Sequence, residues 1–255
     1  METRRLPDSR KQKTLGIVFA LDTEMRGLRR VLSHSRRLRA REATQFAWQV
    51  GGVRVVTQIS GMGRGRCREA THRLIDQGAS WIACAGFAAA LDPKARAGDV
   101  VIAENIKLVE HDSPVLRCSP ALMASTPPSG TLGYTIRQSD LVTSDSMVLR
   151  ASAKRDIYRS TGAAALDMEA YAAAKASDER HIPFFVVKGI SDTAEQDLPD
   201  EVEALAAATA WADRLGLIVK RPTIWPQLWR LRHSALLAAD NLGDVLGTML
   251  LRLFA

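Results

Sequence analysis

The chain has 255 residues, 46% hydrophobic, 25% charged and 5% aromatic, which is enough for a sizeable core and excludes a disordered polymer or a fibre. Lys and Arg number 35 against 28 Asp and Glu, a net charge of +7 that invites a nucleic-acid or membrane-surface reading. Residues 1–41 hold twelve of the basic side chains and only four acidic ones, so the remainder is close to neutral and the excess belongs to one end.

Residues 1–14 are polar and basic and contain Pro7, the composition of a solvated arm. Leu15–Leu21 is a continuous apolar run of strand length. Asp22, Glu24 and Arg26 follow it with no small-residue cleavage site, so it reads as a buried first strand and not as a secretory signal. Met25, Leu28, Val31 and Leu32 have helical spacing. Thr44–Val50 and Val53–Ile59 flank Gly51-Gly52, a hairpin signal that makes the sheet mixed. The glycine-rich loop Ser60-Gly61-Met62-Gly63-Arg64-Gly65 precedes a helix to about Gln77. Ser80–Ala85 is the next strand, with a loop expected over Gly86–Gly98. Strands are expected at Asp99–Val109, Thr131–Val142, Ala163–Leu166 and Ile182–Ile190. Helices are expected over 145–159, Glu169–Arg180 and Pro199–Leu217.

This alternation predicts an α/β fold: a single domain with a mixed central β-sheet flanked by helices. Arg221-Pro222 and Trp225-Pro226 are expected to break the chain. Beyond them Leu228, Leu231, Ala235, Ala238, Leu242, Val245, Leu246, Met249 and Leu253 form a helical stripe, with Asp240, Asp244 and Arg230 on the other side. The expected division is a basic arm (1–14), a catalytic domain (15–220) and a C-terminal amphipathic helical extension (221–255), either a hairpin or one long helix.

Three dispersed cysteines (Cys67, Cys84 and Cys118) and five scattered histidines predict neither a disulfide framework nor a metal site. No run reaches the roughly 18–20 apolar residues of a bilayer span. The chemistry-bearing residues that stand out are three acids just past apolar strands: Glu24, Glu169 and Asp192. Any one of them could simply sit at a helix N-terminus, where a carboxylate is favoured by the dipole.

Four ordered motifs around these acids resemble the nucleoside phosphorylase/nucleosidase superfamily, in particular its 5′-methylthioadenosine/S-adenosylhomocysteine nucleosidase branch. Ala20-Leu21-Asp22-Thr23-Glu24 is similar to the family's first acidic loop, and Ser60-Gly61-Met62-Gly63-Arg64 to its Ser-Gly-Ile-Gly-Lys loop. Asp167-Met168-Glu169-Ala170 resembles Glu-Met-Glu-Ala, and Ile190-Ser191-Asp192-Thr193-Ala194 resembles Ile-Ser-Asp-x-Ala. The likeness covers about residues 15–217.

The resemblance implies roles for particular residues. Asp192 matches the acid that protonates N7 of adenine, with Ser191 orienting it. Glu169 matches the residue that holds the ribose hydroxyls, with Met168 beside the sugar. Glu24 matches the group that positions or deprotonates the attacking water. Met147 stands where relatives stack an aromatic residue on the base, and Val148 would offer backbone hydrogen bonds to the purine edge; core packing is the other reading of both. Phe87 replaces the serine of the family's Gly-Ser-Ala-Gly-Gly loop, here Gly86-Phe87-Ala88-Ala89-Ala90. With a carboxylate in the first loop, this departure points to water over phosphate as nucleophile. Arg64 and Arg66 could serve phosphate or form a solvated helix face.

The expected activity is therefore hydrolysis of an adenine nucleoside, without cofactor or metal. A phosphate-dependent purine nucleoside phosphorylase and a non-catalytic nucleoside-binding or membrane-surface protein stay open as alternatives. The tail is similar to that of hopanoid-associated members, which implies a lipid-linked substrate of the adenosylhopane kind and peripheral membrane contact through 221–255; packing on the domain or across an oligomer interface is the other reading. A cytoplasmic homodimer, at most peripheral at the inner membrane surface, completes the expectation. A nucleic-acid partner is not expected, since the basic excess lacks interleaved aromatics.

Overall fold

The computed structural model describes residues 13–109, 112–129, 133–202 and 225–254. Residues 1–12 of the arm, 131–132 of the expected third-quarter strand, 203–217 of the expected helix and 221–224 of the tail lie outside the described residues.

The apolar runs become strands because a residue pattern without polar alternation can be buried on both faces. β1 (Thr14–Phe19) pairs in parallel with β4 (Val53–Ile59) on one side and β5 (Trp81–Ala90) on the other. β4 turns back through Gly51-Gly52 onto β3 (Gln45–Val50), with Val50 opposite Val53, and β2 (Arg36–Leu38) ends that edge. Gly51 has a φ of +54°, as a two-residue hairpin loop requires.

Beyond β5 the sheet closes on itself. β5 pairs in parallel with β10 (Phe184–Asp192), which runs antiparallel to β6 (Val100–Leu108). β6 pairs with β8 (Ile136–Thr143), β8 with β9 (Ala165–Asp167), and β9 returns antiparallel to the end of β5. The short β7 (Leu116–Arg117) pairs with β6. The second half of β5, Gly86-Phe87-Ala88-Ala89-Ala90, is rich in small residues and carries the strand expected to stop at Ala85. The loop expected over Gly86–Gly98 therefore begins five residues later, because β9 and β10 supply partners to this backbone.

Helices α2 (Arg64–Asp76) and α5 (Ala170–Glu179) pack on each other and on the sheet. A turn of 3₁₀ helix at Asp22–Met25 leads into α1 (Arg26–Val31). α3 (Pro120–Met123) is a single turn, and α4 (Ala151–Thr161) starts six residues later than expected, after an irregular stretch from Ser144.

The tail is one helix, α6 (Trp225–Phe254), and not a hairpin. Trp225-Pro226 begins it instead of breaking it, since proline lacks only an N–H that the first turn leaves unpaired anyway. Its stripe is divided. Ala238, Leu242, Val245, Leu246 and Met249 are buried against α1 and β10, while Trp225 and Trp229 are 50% and 70% exposed. On the other side Asp240 and Asp244 pair with Arg26 and Arg30 of α1 at the partly exposed edge of this contact. The helices touch through glycine. A Cβ added at Gly243 would lie 2.1 Å from the Gly27 carbonyl carbon, and one at Gly27 would lie 2.2 Å from the Ala239 oxygen. Among the described residues no helix is long and apolar enough to cross a membrane.

Candidate active site

Loops at the ends of β1, β5, β9 and β10 surround a cavity of about 280 Å³, which α6 also reaches with Leu231 and Ala235. All eight residues singled out from the sequence line it: Glu24, Phe87, Met147, Val148, Met168, Glu169, Ser191 and Asp192.

Glu24 is placed by its own turn. The Leu21 N–H donates to Glu24 Oε2 at 2.9 Å, folding the side chain back over the end of β1. The Phe87 N–H donates to Oε1 at 2.9 Å. Gly86 makes this approach feasible, since a Cβ there would meet Glu24 Oε1 at 2.7 Å. Burial pushes the Glu24 carboxyl up; the charge of Lys188 and the N–H donors of Phe87, Leu21 and Ala20 act against it.

Glu169 stands one residue before α5, in the position where the bland reading makes it a helix-end carboxylate. Asp167 takes that task instead: its Oδ2 accepts the Ala170 N–H at 2.8 Å and its Oδ1 the Thr143 hydroxyl at 2.6 Å. Glu169 is free to turn into the cavity, where Oε1 accepts the Gly63 N–H at 2.7 Å from the glycine-rich loop. Burial pushes its carboxyl up to about 7, with the charges of Asp167 and Glu24 adding to the shift and Lys188 and the Gly63 amide opposing it.

Asp192, the last residue of β10, accepts the Ser191 hydroxyl on Oδ1 at 2.6 Å and the Lys154 ammonium on Oδ2. Like Glu24 it is 4% exposed.

Two residues of this neighbourhood escaped the sequence reading. Lys188 is buried in β10 and ion-paired to Asp167 Oδ2 at 2.7 Å. Burial alone would pull its ammonium down, but the surrounding charges, led by Asp167 and including Glu169 and Glu24, hold it well above the ordinary lysine value. Its signal was legible as a lone charge inside the apolar run Phe184–Ile190. Lys154 lies on the same helical stripe as Ile157 and Tyr158, facing inward. Of the arginines weighed as phosphate ligands, Arg64 is ion-paired with Asp145 at the partly exposed surface and does not line the cavity.

A mixed sheet that closes beyond β5, with carboxylates gathered at its strand ends in a mostly apolar cavity, defines the class. The chain belongs to the phosphorylase superfamily, whose family profile matches residues 14–221. Among curated proteins it is similar to 5′-methylthioadenosine/S-adenosylhomocysteine nucleosidase of Mycobacterium bovis, 26% identical over 224 residues, covering 72% of this chain and 87% of that one. The nucleosidase of the same name from Staphylococcus aureus MRSA252 is 25% identical over 213 residues, covering 77% and 93%. In fold it matches the Colwellia psychrerythraea 34H nucleosidase solved with adenine, with a TM-score of 0.74 and 19% identity over 95% of this chain and 96% of that one.

Proposed function

We propose that the protein hydrolyses the N-glycosidic bond of an adenine nucleoside of the methylthioadenosine/adenosylhomocysteine type and releases adenine. The observation that carries this reading is the convergence of Glu24, Glu169 and Asp192 on one cavity whose other walls are mostly apolar. Breaking the bond between C1′ and N9 leaves positive charge on the sugar and negative charge on the base. Asp192 donates a proton to N7, so that the base departs neutral; positioned proton transfer of this kind is worth roughly 10²–10⁴-fold. Ser191 fixes the direction of that carboxyl. Glu169 accepts the ribose hydroxyls beside Met168, and Glu24 takes the proton of the water that attacks C1′. Met147 lies against the base, and the Val148 backbone meets its polar edge.

Water is favoured over phosphate by what the local donors are doing. Phosphate needs N–H groups and cations that converge on it. Here the Phe87 N–H is spent on Glu24, and Arg64 is spent on Asp145. A carboxylate in that corner repels an anion. A protein that only binds nucleosides has no need of three desolvated carboxylates around one ligand, which costs stability.

The test is release of free base from methylthioadenosine, adenosylhomocysteine, inosine and uridine, by wild type and Asp192→Asn. Adenine release from the first two, reduced at least 100-fold in the variant, is expected. Full activity of Asp192→Asn would refute the assigned acid, and release only when phosphate is added, or no release from any nucleoside, would sink the hydrolytic reading.

A further inference from the structure

Lys154 is fully buried and is not among the residues that line the cavity. An ammonium has three protons to donate and no acceptor capacity. Each of the three finds an acceptor: Asp192 Oδ2 at 2.5 Å, Thr193 O at 3.0 Å and Gln196 O at 3.0 Å. All three acceptors lie on the end of β10 and the loop that follows it. The chain around Lys154 grips that loop at further points. The Ala151 N–H donates to Asp197 Oδ1 at 2.7 Å, the Leu198 N–H to Leu149 O at 2.8 Å, and Arg150 Nη1 to Leu198 O at 3.1 Å. The start of α4 and the loop 193–198 therefore form one unit, with a buried cation at its centre.

Burying an ion pair is costly, and two apolar side chains of similar size would often hold the same space as well or better. Burial of a charge alone therefore gives no reason to prefer a lysine here over an apolar side chain. Its position does. With Lys154 behind Oδ2 and Ser191 on Oδ1, the carboxyl of Asp192 cannot rotate.

We propose that Lys154 is a positioning residue for the proton transfer, acting through Asp192; this rests on the hydrolytic reading above. Asp192, a carboxylate paired with Lys154 in the resting site, takes up a proton from solvent as the nucleoside binds; as the C1′–N9 bond breaks, its electron pair goes to the base and that proton goes to N7. A negative charge then appears on the Asp192 carboxylate, directly against the Lys154 ammonium, which keeps all three of its protons. The proton taken from water by Glu24 replaces, through solvent, the one Asp192 gave up. An interaction that strengthens as charge develops lowers the barrier instead of merely tightening binding.

A leaving group that needs no protonation separates this role from a structural one. Lys154→Met and Lys154→Gln, the second keeping a hydrogen-bond donor should the first fail to fold, are compared with wild type on methylthioadenosine and on the 4-nitrophenyl 5-methylthioriboside. The expected result is a loss of about 100-fold in kcat on methylthioadenosine with KM little changed, and less than about 5-fold on the nitrophenyl substrate. In the double variant Lys154→Met/Asp192→Asn the losses are not multiplied, because the lysine acts only through the aspartate. Equal losses on both substrates, multiplied losses in the double variant, or no loss at all would overturn the proposal. Two controls distinguish the failures: release that requires phosphate refutes the hydrolytic reading itself and full activity of Asp192→Asn refutes the assigned acid, whereas an inactive Asp192→Asn beside a fully active Lys154→Met refutes only the role of the lysine.

Discussion

Glu169 and Asp167 are two residues apart and do different work because their partners differ. Asp167 is tied to Thr143, to the Ala170 amide and to Lys188, so its charge is absorbed by structure. Glu169 has the Gly63 amide and otherwise a cavity, and its carboxyl is pushed up to about 7, mainly by burial. A carboxyl whose folded value lies above the unfolded one binds its proton more tightly when folded. Its contribution to stability is complete below pH 4.5 and is lost as pH rises through about 7. Glu169→Gln removes that loss: between these limits the wild type is expected to lose about 3 kcal/mol that the variant keeps, measured as urea midpoints across the range. Parallel midpoint curves for the two proteins would contradict it. The three acids were legible in the sequence because each stands directly after an apolar strand. The division of labour between Asp167 and Glu169 was not, since it depends on Thr143 and Lys188, which come from strands 24 and 21 residues away from Asp167.

Among the elements, α6 shows what periodicity can and cannot say. The stripe from Leu228 to Leu253 predicted a helix, and the helix is there. What covers the stripe was not legible, because Gly27, Gly243 and Gly247 are read locally as helix weakeners and become meaningful only where two backbones meet. A Cβ at Gly247 would lie 2.4 Å from Val31 Cγ1, one more close contact along the same seam. Gly243→Ala therefore cannot be absorbed by a rotamer change, and α1 and α6 must separate. The expected cost is about 1–3 kcal/mol, seen as a lowered thermal midpoint. KM for methylthioadenosine should rise as well, because α6 carries Leu231 and Ala235 into the cavity wall. A stabilised variant, the usual result of replacing glycine in a helix, would show that the seam is not tight. The strand β5 erred in the other direction: Gly86 to Ala90 reads as loop from its small residues, yet these are what let β9 and β10 close the sheet around it.

For the whole molecule, the net charge of +7 misdirects. Its basic end includes Arg26 and Arg30, which are paired with Asp240 and Asp244 of α6, and Arg29, which is paired with Asp22. Much of the charge described near the first helix thus joins one end of the chain to the other. Carboxylates gathered in a mostly apolar cavity are balanced by two buried lysines, Lys154 and Lys188. The central claim is that this arrangement delivers water, and not phosphate, to C1′. The most direct measurement is proton and phosphorus NMR of the sugar formed from methylthioadenosine with phosphate in large excess. The account predicts free methylthioribose, with no coupling between its anomeric proton and phosphorus; accumulation of methylthioribose 1-phosphate would contradict it.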